Sequence, residues 1–167
     1  MTIEATVYLV EDDEAVRDSL QMVLESVGHK VVSYSRADTF LEDYTTEMAG
    51  CMVLDIRMPG MNGMELQRQL NSRNSILPII FVTGHGDVPM AVDAMQRGAV
   101  DFVQKPYREE ELLGKIQQAI AADAENRADL EEKHKIRAKL ADLTPRESQV
   151  MELMIEGKAN KVIAYDL

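Results

Sequence analysis

Short apolar runs alternate with helical patterns along the first 120 residues. Val7-Tyr8-Leu9-Val10, Met52-Val53-Leu54 and Phe102-Val103 are runs of the kind that form buried strands. Strands are expected near 5–10, 30–34, 50–54, 78–82 and 100–103. Helices are expected near 14–27, 37–46, 63–73 and 88–97, with a fifth starting near Arg108. Val16, Leu20, Val23, Leu24 and Val27 recur at helical spacing, and Gly28 is a helix stop. Such alternation implies a parallel sheet covered by helices on both faces. Short, right-handed connections leave few topologies. The expected class is α/β, a flavodoxin-like (βα)5 sheet of order 2-1-3-4-5, with its switch point between strands 1 and 3.

Three fragments of one acidic site stand just past these strands. Glu11-Asp12-Asp13 follows the first, Asp55 the third, and Lys105-Pro106 the fifth. Strand C-terminal ends converge on one crevice in such a sheet. Packed carboxylates repel one another and ask for a hard divalent cation such as Mg²⁺. A metal held by carboxylates, a lysine and an aspartate with a free oxygen are the parts needed to accept a phosphoryl group. Taken singly the fragments are ordinary: an acidic trio usually marks a helix N-terminus, and a lone Asp a strand-end turn. A nucleotide or flavin site would instead place a Gly- or Ser/Thr-rich loop after the first strand. The carboxylates here repel an anion unless a cation intervenes.

Charge sharpens this picture. The net charge is −11. Residues 1–120 carry −9 of it, residues 121–140 none and residues 141–167 −2, so the acidity belongs with the proposed site. It argues against non-specific nucleic-acid binding. The single cysteine, Cys51, lies in an apolar strand, is expected to be buried and inert, and fits a reducing cytoplasm. No basic region precedes the first apolar run and no run of 18 apolar residues exists. A cytoplasmic protein without a membrane partner is therefore expected. His29 and His134 read as surface residues and His85 as a loop residue.

Four motifs in order give the chain a family likeness. They are Val10-Glu11-Asp12-Asp13, Leu54 to Gly63 (Leu-Asp-Ile-Arg-Met-Pro-Gly-Met-Asn-Gly), Val82-Thr83-Gly84-His85-Gly86, and Gly98 to Pro106. Over about residues 4–120 the chain resembles the CheY-like receiver domain of two-component response regulators, and Gly84–Val92 points to the FixJ-like branch. The resemblance implies that Asp55 is the phosphoacceptor, taking a phosphoryl group from a sensor histidine kinase. It implies Mg²⁺ held by Asp12, Asp55 and the backbone carbonyl of Arg57, with Glu11 acting directly or through a water. Receivers commonly have Asp where Glu11 stands. Asp13 is an alternative ligand, although the family alignment puts it at the start of helix 1, favoured by the helix dipole. Lys105 is implied to pair with Asp55 and then with phosphate, across a cis Lys105–Pro106 bond. Thr83 and Phe102 are implied as switch residues, and helix 4 with strand 5 as the face of a phosphorylation-dependent homodimer. A dehalogenase-like phosphatase would show Asp-x-Asp where this chain has Asp55-Ile56-Arg57, so no turnover enzyme is expected.

Beyond Arg108 the composition turns to strong helix formers. One helix from about 108 to 141 is expected, packed through Leu112, Leu113, Ile116 and Ile120. Past Ala121 its apolar positions thin out, leaving either a solvated linker over 121–142 or half of a helix pair in a dimer. Thr144-Pro145-Arg146-Glu147 is a helix start, with Thr as N-cap, Pro at N1 and Glu at N3. Residues 143–167 resemble the opening of a LuxR/FixJ-type helix-turn-helix domain, stopping before the recognition helix. The expected division is thus a receiver over 1–120, a linker over 121–142 and a truncated DNA-binding segment over 143–167. DNA is the expected partner of a full-length protein rather than of this chain. The alternative is a stand-alone receiver acting through protein partners.

Overall fold

A computed structural model describes residues 4–84 and 87–140, and the side chains of all of these but Leu140. His85 and residues 143–167 lie outside the described residues. Five strands run β1 Thr6–Val10, β2 Lys30–Tyr34, β3 Gly50–Asp55, β4 Ile79–Thr83 and β5 Asp101–Gln104. Helices α1 Glu14–Ser26, α2 Ala37–Asp43, α3 Gly63–Ser72 and α4 Val88–Gln96 alternate with them, and α5 spans Glu109–Leu140. All pairings are parallel, in the order β2-β1-β3-β4-β5. The expected flavodoxin-like fold and strand order are therefore present. The chain divides into two compact units, 1–124 and 125–167.

Side-chain alternation along the strands builds two cores. Val7, Leu9, Cys51, Val53, Ile80, Val82 and Val103 face one way and pack with Leu20 and Leu24 of α1 and Leu112 and Ile116 of α5. Tyr8, Val10, Met52, Leu54, Ile79 and Phe81 face the other way, against Phe40 of α2, Leu66 and Leu70 of α3, and Ala91 and Ala94 of α4. A central strand buried on both faces needs apolar residues at every position, as in β1 and β3. Phe40 is fully buried and meets Tyr8 and Tyr34 edge-on, with centroids 5.8 and 5.2 Å away. Cys51 is buried as expected, and burial, helped by Asp123, pushes its thiol up to about 12.

The helix ends follow local chemistry. Asp13 is the N-cap of α1, its carboxylate accepting from the Val16 amide at 3.2 Å, and Asn62 caps α3 through Glu65 at 2.9 Å. At the other end of α1, Gly28 donates to Glu25 and His29 to Leu24, the paired bonds of a left-handed stop. Two expectations are corrected. Helix α2 ends at Asp43 rather than 46, because Tyr44 takes an extended ψ of 132° and Thr45 and Thr46 are β-branched, poor continuers of a helix. His29 is half-buried rather than on the surface, with Nε2 shielded.

At the sheet edge remote from the strand C-termini, the buried Asp123 of α5 accepts a 2.8 Å bond from the Gly50 amide. That bond fixes α5 to the first residue of β3. Asp123→Ala leaves a buried N–H without its acceptor, and we expect a loss of about 1–3 kcal/mol in urea unfolding. Asp123→Asn keeps a carbonyl oxygen and should lose less. Equal losses would mean that the charge, not the hydrogen bond, sets the effect.

Candidate metal and phosphoryl site

Strand register assembles the site. Val10 pairs with Leu54, so Glu11 and Asp55 leave β1 and β3 at the same level. Asp55 pairs with Val82 and Thr83 with Gln104, which brings Thr83 and Lys105 to the same edge. One carboxylate oxygen from each of Glu11, Asp12 and Asp55 lies within 4.8 Å of the others. Lys105 Nζ stands 3.5 Å from Asp55 and 3.8 Å from Glu11. Asp13 caps α1 through the Val16 amide, and the group of three carboxylates is formed without it. The Lys105–Pro106 bond is cis.

Backbone contacts hold these groups still. The Arg57 amide donates to Asp55 Oδ1 at 3.3 Å, and the Asp13 amide donates to Glu11 at 3.2 Å. Arg17 Nη1 donates to the Glu11 carbonyl at 2.9 Å, anchoring the β1–α1 turn from within α1. Gly63 comes close enough to the sheet that a Cβ there would overlap the Asp55 carbonyl oxygen, so α3 starts directly under the aspartate only because residue 63 has no side chain. The Thr83 hydroxyl, fully buried, donates to the Val103 carbonyl at 3.3 Å. Phe102 is half-buried against the α2–α4 core, and its carbonyl accepts from Lys115 at 3.2 Å.

The electrostatics are those of a site short of positive charge. Glu11 and Asp55 are both buried and Asp12 is exposed. Burial, then hydrogen bonding with and repulsion by Asp55, raise Glu11 to about 7, against the pull of Lys105. Burial alone would lower Lys105, but Asp55 and Glu11 outweigh it and keep the ammonium raised. The donors are all oxygen, two of the three carboxylates are buried, and one ammonium faces them. That set fits a hard divalent cation such as Mg²⁺.

Two interactions were not expected from sequence. Buried Asp87 receives Arg57 Nε at 2.7 Å and Nη2 at 2.6 Å, and Arg57 holds its carboxyl below the usual range. Arg17 clamps the turn carrying Glu11 and Asp12. Asp87 directly precedes Val88-Pro89, which in sequence reads as an N-cap before a helix start. The side chain makes no cap hydrogen bond.

Comparison with known proteins agrees with the fold. Residues 7–117 match the family model for the response regulator receiver domain, and residues 141–167 that for bacterial regulatory proteins of the luxR family. The transcriptional regulatory protein FixJ of Bradyrhizobium diazoefficiens is 45% identical over 170 residues, covering 100% of this chain and 82% of the relative. The response regulator protein TodT of Pseudomonas putida is 41% identical over 163 residues, covering 98% of this chain and 72% of the relative. Among solved structures, the response regulator StyR superposes with a TM-score of 0.81 at 45% identity, covering 98% and 82% of the two chains. Full-length FixJ from B. japonicum gives 0.69 at 42%, covering 99% and 83%. The chain belongs to the response regulator family. Within it, the chain combines a receiver domain with a LuxR-type DNA-binding segment, the arrangement of FixJ-type transcriptional regulators.

The raised Glu11 makes the metal-free protein pH-sensitive. Its folded value of about 7 lies above the unfolded 4.5. The folded state therefore binds the extra proton between these values. The contribution is fully present below about pH 4.5 and is lost as pH rises through about 7. With no divalent cation added, wild type should lose on the order of 3 kcal/mol relative to Glu11→Gln between pH 4.5 and 8. Denaturant unfolding of both proteins across that range checks it. Parallel pH profiles would contradict the buried, proton-sharing Glu11.

Proposed function

We propose that this protein is the phosphoacceptor of a two-component phosphorelay, with Asp55 as the acceptor, Mg²⁺ as cofactor and transcription as output. The observation that carries the proposal is the convergence of the Glu11, Asp12 and Asp55 oxygens beside the Lys105 ammonium. An Asp55 oxygen attacks the phosphorus of a phosphohistidine on a sensor histidine kinase. A P–O bond forms, the P–N bond breaks, and the imidazole leaves with a proton. Glu11, Asp12, Asp55 and the Arg57 carbonyl would hold Mg²⁺, which when bound supplies positive charge to the transferring group. Lys105 moves from the Asp55 carboxylate to a phosphoryl oxygen as a point-charge contact. Asp55 is fixed throughout by the Arg57 amide.

Output follows from Thr83 and Phe102. To meet a phosphoryl oxygen, the Thr83 hydroxyl gives up the Val103 carbonyl, and the Phe102 ring, which lacks a hydroxyl, turns into the vacated space. These moves bias a population between two existing states. They alter the face carrying Val88, Val92 and Val100, which are exposed on α4 and just before β5, and which we assign to a phosphorylation-dependent homodimer. We place the receiver at 1–120, the helical linker at 121–142 and the LuxR-type segment at 143–167, in a cytoplasmic protein. The luxR-family match over 141–167 favours DNA-directed output over a receiver working through protein partners alone.

Intact mass after incubation with acetyl phosphate and Mg²⁺ tests the assignment. Wild type should gain one phosphoryl group, and Asp55→Asn and chelator-treated wild type none. Full labelling of Asp55→Asn would refute it. In a metal titration Asp12→Ala should weaken Mg²⁺ by at least roughly tenfold, Glu11→Ala less, and Asp13→Ala least, since Asp13 caps α1. A larger loss for Asp13→Ala than for Asp12→Ala would overturn the ligand set.

A further inference from the structure

The Arg57–Asp87 ion pair joins a fixed acid to a movable base. Asp87 is 3% exposed, whereas the Arg57 side chain is 74% exposed. Both guanidinium bonds go to a single oxygen of Asp87, and the Gly84 amide, next to Thr83, also draws on the same carboxylate. Arg57 lies two residues past Asp55, and its amide already bonds the Asp55 carboxylate. Arg57 also lines an open cleft of about 460 Å³ with Met58, Pro59 and Met90, and its side chain is exposed rather than packed in the core. Asp87 stands at the N-cap position of α4, where Asp is among the best capping residues, yet it caps nothing.

We propose that Asp87 is a positioning residue that withholds Arg57 from Asp55 in the unphosphorylated chain and surrenders it to the phosphoryl oxygens once they are present. This rests on Asp55 being the phosphoacceptor. Converting a carboxylate into an aspartyl phosphate adds negative charge and three strong acceptors within the reach of Arg57. A planar guanidinium fork matches that geometry bidentately, whereas on Asp87 it shares one oxygen. Once released, the Asp87 carboxylate is free to turn toward the Met90 amide of α4, since Pro89 before it has no N–H to cap. The exchange links the chemistry at β3 to the start of α4 through two named side chains, and no covalent step is involved.

A double-mutant cycle on the full chain tests this, with beryllofluoride and Mg²⁺ as the probe of an Asp55-bound phosphoryl group and calorimetry as the readout. Arg57→Gln should weaken binding roughly tenfold, the loss of a charge-assisted contact. Asp87→Asn keeps a capping side chain but frees Arg57, and should tighten binding several-fold. The double variant should match Arg57→Gln, because Asp87 acts only through Arg57. A purely structural role for Asp87 would give the same change with or without Arg57, and that additivity would overturn the proposal. Should Asp87→Asn fail to fold, the exposed Arg57→Gln still decides: unchanged or tighter binding overturns the exchange. If wild type itself binds no beryllofluoride, the phosphoacceptor reading falls and this inference with it. Binding by wild type with additive variants removes this inference alone.

Discussion

Everything in this molecule depends on one electrostatic constraint: two buried carboxylates, Glu11 and Asp55, leave neighbouring parallel strands at the same level. Nothing in the sheet's own stability asks for this. The apolar strands β1 and β3 would pair as well with neutral residues after them. The raised Glu11 is the energetic signature first of its burial and then of the neighbouring Asp55. Lys105 meets only part of the charge, so the site favours whatever brings more positive charge to it. A divalent cation does so with metal–oxygen bonds, and a protonated Glu11 does so at acid pH.

The second constraint is that the site is held by the scaffold rather than by its own side chains. Parallel register sets the height of Glu11, Asp55, Thr83 and Lys105, while amides of Asp13 and Arg57 fix the carboxylates. Gly63 lets α3 begin in contact with the Asp55 backbone. Preorganisation of this kind leaves few side chains free to respond when Asp55 changes. Thr83 donates to one carbonyl, Phe102 is half-buried, and Arg57 is exposed on its only charged anchor among the described contacts, Asp87. These three are the parts that our proposals set in motion.

Much of this was legible in sequence because it is local. Short continuous apolar runs and apolar faces at helical period place strands within a residue or two of where they lie, and the motif residues fall at strand ends as a consequence. Helix α2 was over-extended because the apolar pattern does not register the cost of Thr45 and Thr46. Outside the motif residues, long-range polar pairs were not legible. Asp123 meets Gly50 across 73 positions and Arg57 meets Asp87 across 30. A charged residue carries no periodic signal about its partner, and an aspartate on a helix surface or at a helix start is ordinary in its local sequence.

Site-resolved trapping of the acyl phosphate tests the central claim most directly. Borohydride reduces an aspartyl phosphate to homoserine, and peptide mass mapping then locates it. After phosphorylation in Mg²⁺, the expected result is homoserine at Asp55 and nowhere else, with the yield lost when Mg²⁺ is chelated. Homoserine at Asp12 or Asp13, or a stoichiometric label carried by a histidine, would contradict the account.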